Sequence, residues 1–271
     1  MCAKSFGLEH IAHFLSTTSI WSPEMIAILI GVGFLVGFVN TIAGLASAIS
    51  YALFMAMGMP VSVANGTTRP GVLIQFLINS LLFRKAGVLP VGIGIRIGIP
   101  IAIGSFVGAE LAAHINPPIF EWVMACSLPI LASLLFVDTR SVKLTPLGQH
   151  VEIGPAKLII FTLIGCYGGF THAGVGLLII FGSVFLLGMD LLRANAIKQL
   201  AVVVYTPIAL AVFILNDKVN WPVALIYAIG NVAGGWWGSR VSIQKGAKFI
   251  RWSVTLCVVV MSFWLIYKQF S

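Results

Sequence analysis

Apolar residues run through this chain in long blocks, and polar residues are largely confined to the joints between them. Ten blocks can be marked: 24–43, 45–58, 64–84, 88–113 and 118–137, then 156–173, 174–187, 193–215, 221–243 and 248–268. About 20 apolar residues in a helix cross the hydrocarbon core of a bilayer, so most blocks predict a membrane-spanning helix. No ten-residue stretch alternates with period two, as the strands of an outer-membrane barrel do. Backbone polar groups at membrane depth must then be paired inside each segment, and the fold class predicted is an all-α integral membrane protein. The polar stretch DTRSVKLTPLGQHVEIGP (138–155) divides the blocks five and five.

The two sets of five repeat one another. A shift of 130 positions lays Thr41, Ala43 and Gly44 on Thr171, Ala173 and Gly174, and Gly58-Met59 on Gly188-Met189. The same shift lays Ala64-Asn65 on Ala194-Asn195, and Gly104 and Gly108 on Gly234 and Gly238. Small residues at four-residue spacing recur in any packed membrane helix, which accounts for the last pair but not for the matched Thr-x-Ala-Gly and Ala-Asn. The sense of insertion follows from charge. Five crossings per half put Arg84, Lys85, Arg140, Lys143, Lys157, Arg193, Arg240, Lys245, Lys248 and Arg251 on one face and Lys4, Lys218 and Lys268 on the other. That 10 to 3 division is the imbalance the positive-inside rule expects. An odd number of crossings turns the second half over. The predicted architecture is therefore two inverted repeats of about five segments each, the second segment of each being a short half-helix. In domain terms this gives an extracytoplasmic N-terminal segment at 1–23 with a short interfacial helix at 8–20, and a first membrane repeat at 24–137. A cytoplasmic loop at 138–155 and a second repeat at 156–268 follow, with both termini outside.

Composition agrees: 59% of the 271 residues are hydrophobic and 9% charged, against about 25% charged in soluble domains. The net charge of +8 is scattered between apolar blocks, with no basic stripe or RNA-reading motif, so nucleic acid is not an expected partner. Cys2, Cys126, Cys166 and Cys257 form no CxxC pair and read as free thiols, buried where they fall in apolar blocks. HExxH, GxSxG and phosphate-loop motifs are missing from the sequence, and only eight acidic residues occur. An enzyme, a metal centre or a cofactor site therefore lacks its parts, and no catalytic residue is assigned.

Blocks 45–58 and 174–187 are about 21 Å long as helix, too short to span. Their breaks at Thr41-Ile42-Ala43-Gly44 and Thr171-His172-Ala173-Gly174 then fall inside the membrane, where irregular backbone is tolerated only within protein or beside a cavity. A helix starting there offers free N–H groups and a positive dipole end to an anion; a glycine kink for tight packing is the plainer reading. Each half-helix is followed by a polar cluster, Asn65, Thr67 and Arg69 in one half and Asn195, Lys198 and Gln199 in the other. Arg69 and Lys198 either face a cavity or snorkel to the interface. Arg96, eight residues into its block, reads as a second anion contact or a cation held by a carbonyl. His172, in the break, is either a proton carrier or a satisfied structural histidine. The substrate-binding set is thus Thr41, Gly44, Asn65, Thr67 and Arg69 on one side of a pocket, and Thr171, His172, Gly174, Asn195, Lys198 and Gln199 on the other.

With these residues in view, the sequence resembles the sulfite exporter TauE/SafE family, also described as sulfonate uptake permeases. The likeness rests on GFVNTIAGLASAISYALFMAMGMPVSVANGTT (37–68) and GCYGGFTHAGVGLLIIFGSVFLLGMDLLRANAIKQ (165–199), and covers both repeats from about 24 to 268. Ala46 and Ser47 stand where the family tends to have glycines, Tyr51 where proline is common, and Ile197-Lys198 where Thr-Ser is expected. The resemblance implies a secondary transporter exporting or taking up sulfite, a sulfonate or a related organosulfur anion through a bacterial plasma (inner) membrane. A proton or sodium is the candidate coupling ion, and the lipid bilayer the surrounding partner. The competing expectation is a membrane scaffold or anchoring subunit without transport of its own.

Overall fold

A computed structural model describes residues 13–134 and 152–269. Among them nine helices have ten residues or more: α1 (Pro23–Ile42), α2 (Ser47–Ala56), α3 (Val61–Lys85), α4 (Val91–His114), α5 (Pro117–Leu134), α6 (Pro155–Phe170), α7 (Val175–Phe185), α8 (Leu191–Leu215) and α9 (Trp221–Gln269). No strand occurs among the described residues. The last two predicted blocks form the single run α9, interrupted at Gly246, whose φ of 67° only glycine adopts easily. Of the predicted N-terminal helix, residues 13–17 are helical, and 1–12 lie outside the described residues. Most of the predicted cytoplasmic loop, with Arg140 and Lys143, also lies outside them.

Among the described residues large apolar side chains cover much of the surface, while a set of polar ones is buried within the apolar core. Ile103, Leu163 and Ile229 are each more than 60% exposed, whereas Asn65, Arg69, Gln75, Lys198 and Gln199 are fully buried. Helices α1, α4 and α8 are each long and apolar enough to cross a membrane. With the polar groups taking the interior, the apolar exterior belongs against lipid chains. Cys126 is exposed and Cys166 half-buried, so these two thiols are less enclosed than their apolar surroundings in sequence suggested.

Glycines close the helix pairs. A Cβ on Gly104 would overlap the Thr162 carbonyl and one on Gly108 the Cys166 carbonyl, so α4 and α6 touch backbone to backbone. Along α1 and α9 the same holds: a Cβ on Gly230 would overlap the Ile30 carbonyl and one on Gly234 the Phe34 carbonyl. Small residues let membrane helices approach this closely. Each contact joins the fourth element of one half to the first of the other.

The second element of each half is short. α2 has 10 residues and α7 has 11, about 15 and 17 Å as helix, roughly half a hydrocarbon core of about 30 Å. Both are shorter than the predicted 14-residue blocks. α1 persists through Ile42 before the chain turns at Gly44 (φ 76°), and left-handed glycines at 58 and 188 end the half-helices early.

Candidate functional site

The two breaks meet. A Cβ on Gly44 would lie 2.8 Å from the Gly176 carbonyl carbon and the Leu177 nitrogen, so the first break rests on the opening turn of α7. From the other side, Gly174 (φ 81°) packs beside Leu131 and Leu45. Neither short helix has a side-chain cap at its start, Ala46 for α2 and Gly174 for α7.

Each break also orphans the carbonyls at the end of the helix before it, and polar side chains, the cation of the opposite half among them, reach them. At the end of α1, Lys198 Nζ donates to the carbonyls of Asn40 (3.0 Å) and Thr41 (2.7 Å). Gln199 Nε2 donates to the Thr41 carbonyl (3.1 Å) and to Asn195 Oδ1 (3.2 Å). Gln75 Nε2 donates to Thr41 Oγ1 (2.8 Å) and the Gly37 carbonyl (3.0 Å). The Asn79 carboxamide completes the group, 2.9 Å from Thr41 Oγ1 and 3.1 Å from Gln199 Oε1.

At the end of α6, Arg69 Nη2 donates to the Gly169 carbonyl (2.7 Å) and to Asn65 Oδ1 (3.1 Å), and Asn65 Nδ2 donates to the Phe170 carbonyl (2.7 Å). Tyr51 Oη donates to Asn65 Oδ1 (2.9 Å) and accepts from the His172 N–H (3.0 Å). His172 Nδ1 lies 2.8 Å from Tyr205 Oη. Thr171 Oγ1 donates to Met124 Sδ at 3.0 Å.

The two arrangements correspond residue by residue. Arg69 and Gln199, 130 positions apart, each donate to an asparagine one turn earlier and to a carbonyl at the end of the broken helix of the other half. Gln75 and Tyr205, also 130 apart, each reach into a break, at Thr41 and His172. The predicted grouping of first-half residues on one side and second-half residues on the other is thereby corrected: each cluster mixes both halves.

Arg69 and Lys198 are fully buried and do not snorkel. Among the described residues the ion pairs are Glu110–His114 and Asp190–Arg193, so neither buried cation has a carboxylate partner. Instead Arg69 lies 5.0 Å over the Phe213 ring and Lys198 5.8 Å over Phe76, favourable to a desolvated cation. Nε and Nη1 of Arg69, three N–H groups, have no hydrogen-bond acceptor.

Of the predicted residues, Thr41, Gly44, Asn195, Lys198 and Gln199 gather at one break and Asn65, Arg69, Thr171, His172 and Gly174 at the other. Thr67 does not join them: it is turned to the far side of α3, where its Oγ1 accepts from the Asn220 N–H at the start of α9 (2.9 Å). Arg96 is exposed on the outer surface of α4 beside Ile99, Ile103 and Leu158, and makes no second contact at the breaks. Tyr51, Gln75, Asn79 and Tyr205 were missed. Gln75 and Tyr205 differ in identity, so a search for matching letters passes over their shared register.

The description "Sulfite exporter TauE/SafE" is that of the family model that matches residues 29–265. A "Probable membrane transporter protein" of Haemophilus influenzae is 26% identical over 246 residues, covering 91% of this chain and 96% of that protein. The "Probable membrane transporter protein YfcA" of Escherichia coli is 26% identical, with 92% of each chain covered. "Probable membrane transporter protein ORF9" of a Sinorhizobium species is 28% identical, over 84% of this chain and 87% of that one. No solved structure matches the chain. A family model that spans both breaks and reaches into all nine helices, with relatives aligned almost end to end, places this membrane-embedded chain in the sulfite exporter TauE/SafE family of membrane transporters.

Proposed function

We propose that this chain is a secondary transporter that exports or takes up a small oxyanion, sulfite, a sulfonate or a related organosulfur anion, through the plasma (inner) membrane. The observation that carries this reading is the pair of fully buried cations, Arg69 and Lys198, set at the paired breaks with no carboxylate partner among the described residues. Two buried cations with no carboxylate partner among the described residues are costly, and an anion held there offsets that cost. Arg69 supplies the direct contact through its three N–H groups without acceptors. The uncapped starts of α2 and α7 add N–H groups and positive dipole ends. The family description names sulfite.

The centre is enclosed, so the substrate enters by movement of the surrounding helices, alternating access about a site between two inverted repeats. Supporting inversion are the half-membrane length of α2 and α7, the residue-by-residue correspondence at the breaks and the charge division of the sequence. The repeats are 24–137 and 156–268, joined by a cytoplasmic loop at 138–155, with the segment 1–23 and both termini extracytoplasmic. Single cysteines replacing Lys85 and Lys218 are then labelled by an impermeant reagent from opposite sides; labelling from one side sinks the inverted arrangement.

Proteoliposome flux of sulfite, thiosulfate and short sulfonates tests the transport reading. Uptake of at least one of these above protein-free vesicles, lost in Arg69→Ala, is the expected result. Unchanged flux in both Arg69→Ala and Lys198→Ala overturns the site.

A further inference from the structure

The carbonyl end of a broken helix in a membrane is a seat for a small cation, because two or more orphan oxygens with the negative end of a helix dipole converge there. At the end of α1 that seat is filled by a side chain. Lys198 Nζ lies 2.7 Å from the Thr41 carbonyl and 3.0 Å from that of Asn40, fully buried and with no carboxylate partner among the described residues. Its stem reaches the seat by crossing Gly176, where a Cβ would stand 3.0 Å from Lys198 Cδ. The matching end of α6 is closed differently, by the Asn65 amide and the planar guanidinium of Arg69. An ammonium is a compact point charge, and so resembles an alkali cation as the guanidinium does not.

We propose that Lys198 is a tethered cation standing in the place of a coupling alkali ion, so that this protein binds no Na+ or K+ at the end of α1 and carries its anion without either. The flux arm of this inference rests on reading the chain as an anion carrier; the seat itself does not. Lys198→Ala removes the equivalent of n-propylammonium and leaves the carbonyls of Asn40 and Thr41 facing the space.

The decisive experiment measures thermal stability of the purified protein at matched ionic strength in choline, sodium and potassium chloride. The wild type is expected to melt at one temperature in all three, and a rise specific to Na+ or K+ overturns the proposal. Lys198→Ala is expected to melt lower and to regain about 3 °C or more with n-propylammonium, an alkali cation or both. Tetramethylammonium, which has no N–H to donate, gives no such rise. If no cation raises the melting temperature of the folded variant, the proposal fails. Should the variant not fold, the wild-type comparison still decides.

Flux then separates the two readings. Wild-type transport in sodium- and potassium-free choline medium within about 2-fold of that in sodium supports the tethered cation, and a strict sodium or potassium requirement refutes it. Absence of flux for every anion condemns the transport reading and leaves the seat judged by its melting temperatures.

Discussion

The two breaks share a skeleton and differ in chemistry. Both place a left-handed glycine before a helix of about half-membrane length, and in both a cation from the opposite half donates to the trailing carbonyls. Around the end of α1 the partners are amides and an ammonium: Gln75, Asn79, Gln199 and Lys198. Around the end of α6 they are a guanidinium, three aromatic or imidazole rings and one amide: Arg69, Tyr51, Tyr205, His172 and Asn65. In the first cluster the cation is engaged by two carbonyls, whereas in the second three N–H groups of the cation are left over. One end of the frame thus satisfies its cation internally, and the other leaves donors over, which the proposed function assigns to the anion.

This contrast can be broken experimentally, most severely at Arg69. Arg69→Ala is expected to lower flux of the transported anion by about 100-fold or more, the size of a lost charge-assisted contact of roughly 3 kcal/mol. Melting in the presence of saturating anion reports the same loss as a vanished ligand shift. Arg69→Lys keeps the charge without the planar donor set and is expected to retain flux at about a tenth of wild type; full activity would show that charge alone suffices.

Next come the glycines at the crossing. Gly44→Ala places a Cβ 2.8 Å from the α7 backbone at a φ of 76°, so steric overlap and backbone strain add to about 2 kcal/mol or more of destabilisation, read as a fall in melting temperature. Gly58→Ala has the same kind of φ, 86°, but meets nothing within 4 Å, so it pays only the strain, about 1 kcal/mol. Equal effects at the two positions would mean that the breaks do not press on one another.

The smallest effects lie in the aromatic cluster. Tyr205→Phe removes the partner of His172 Nδ1 and is expected to cost about 1 kcal/mol of stability, with flux changed less than about 5-fold. A loss as large as that of Arg69→Ala would move the functional centre from the guanidinium to the His172–Tyr205 pair.

Much of this was readable in the sequence because the repeat was preserved in letters where geometry is least forgiving. Gly44 and Gly174 need positive φ, and Asn65 and Asn195 each accept from a side chain one turn on. Hence the shift of 130 found both breaks and most of both clusters. Grouping by nearness in sequence misled at Thr67, since Thr67 is two positions from both Asn65 and Arg69 and so points to the opposite side of the same helix. Which half supplies partners to which break was not legible either, because spacing along a chain says nothing of how two repeats interleave. Tyr51 had a faint signal as a departure from the family's proline, and its hydroxyl now joins Asn65 to the backbone of His172.

The glycine contacts have a consequence for how such a chain can be made. α1 finds its closest backbone partner in α9, and α6 finds its own in α4, so neither half contains the surface that its first helix was shaped to meet. Cut between 138 and 151, the chain becomes two fragments that are each other's missing interior, like subunits of a helix-exchanged dimer. Neither half can complete its own tightest backbone contact, so each is expected to be stable only with the other present.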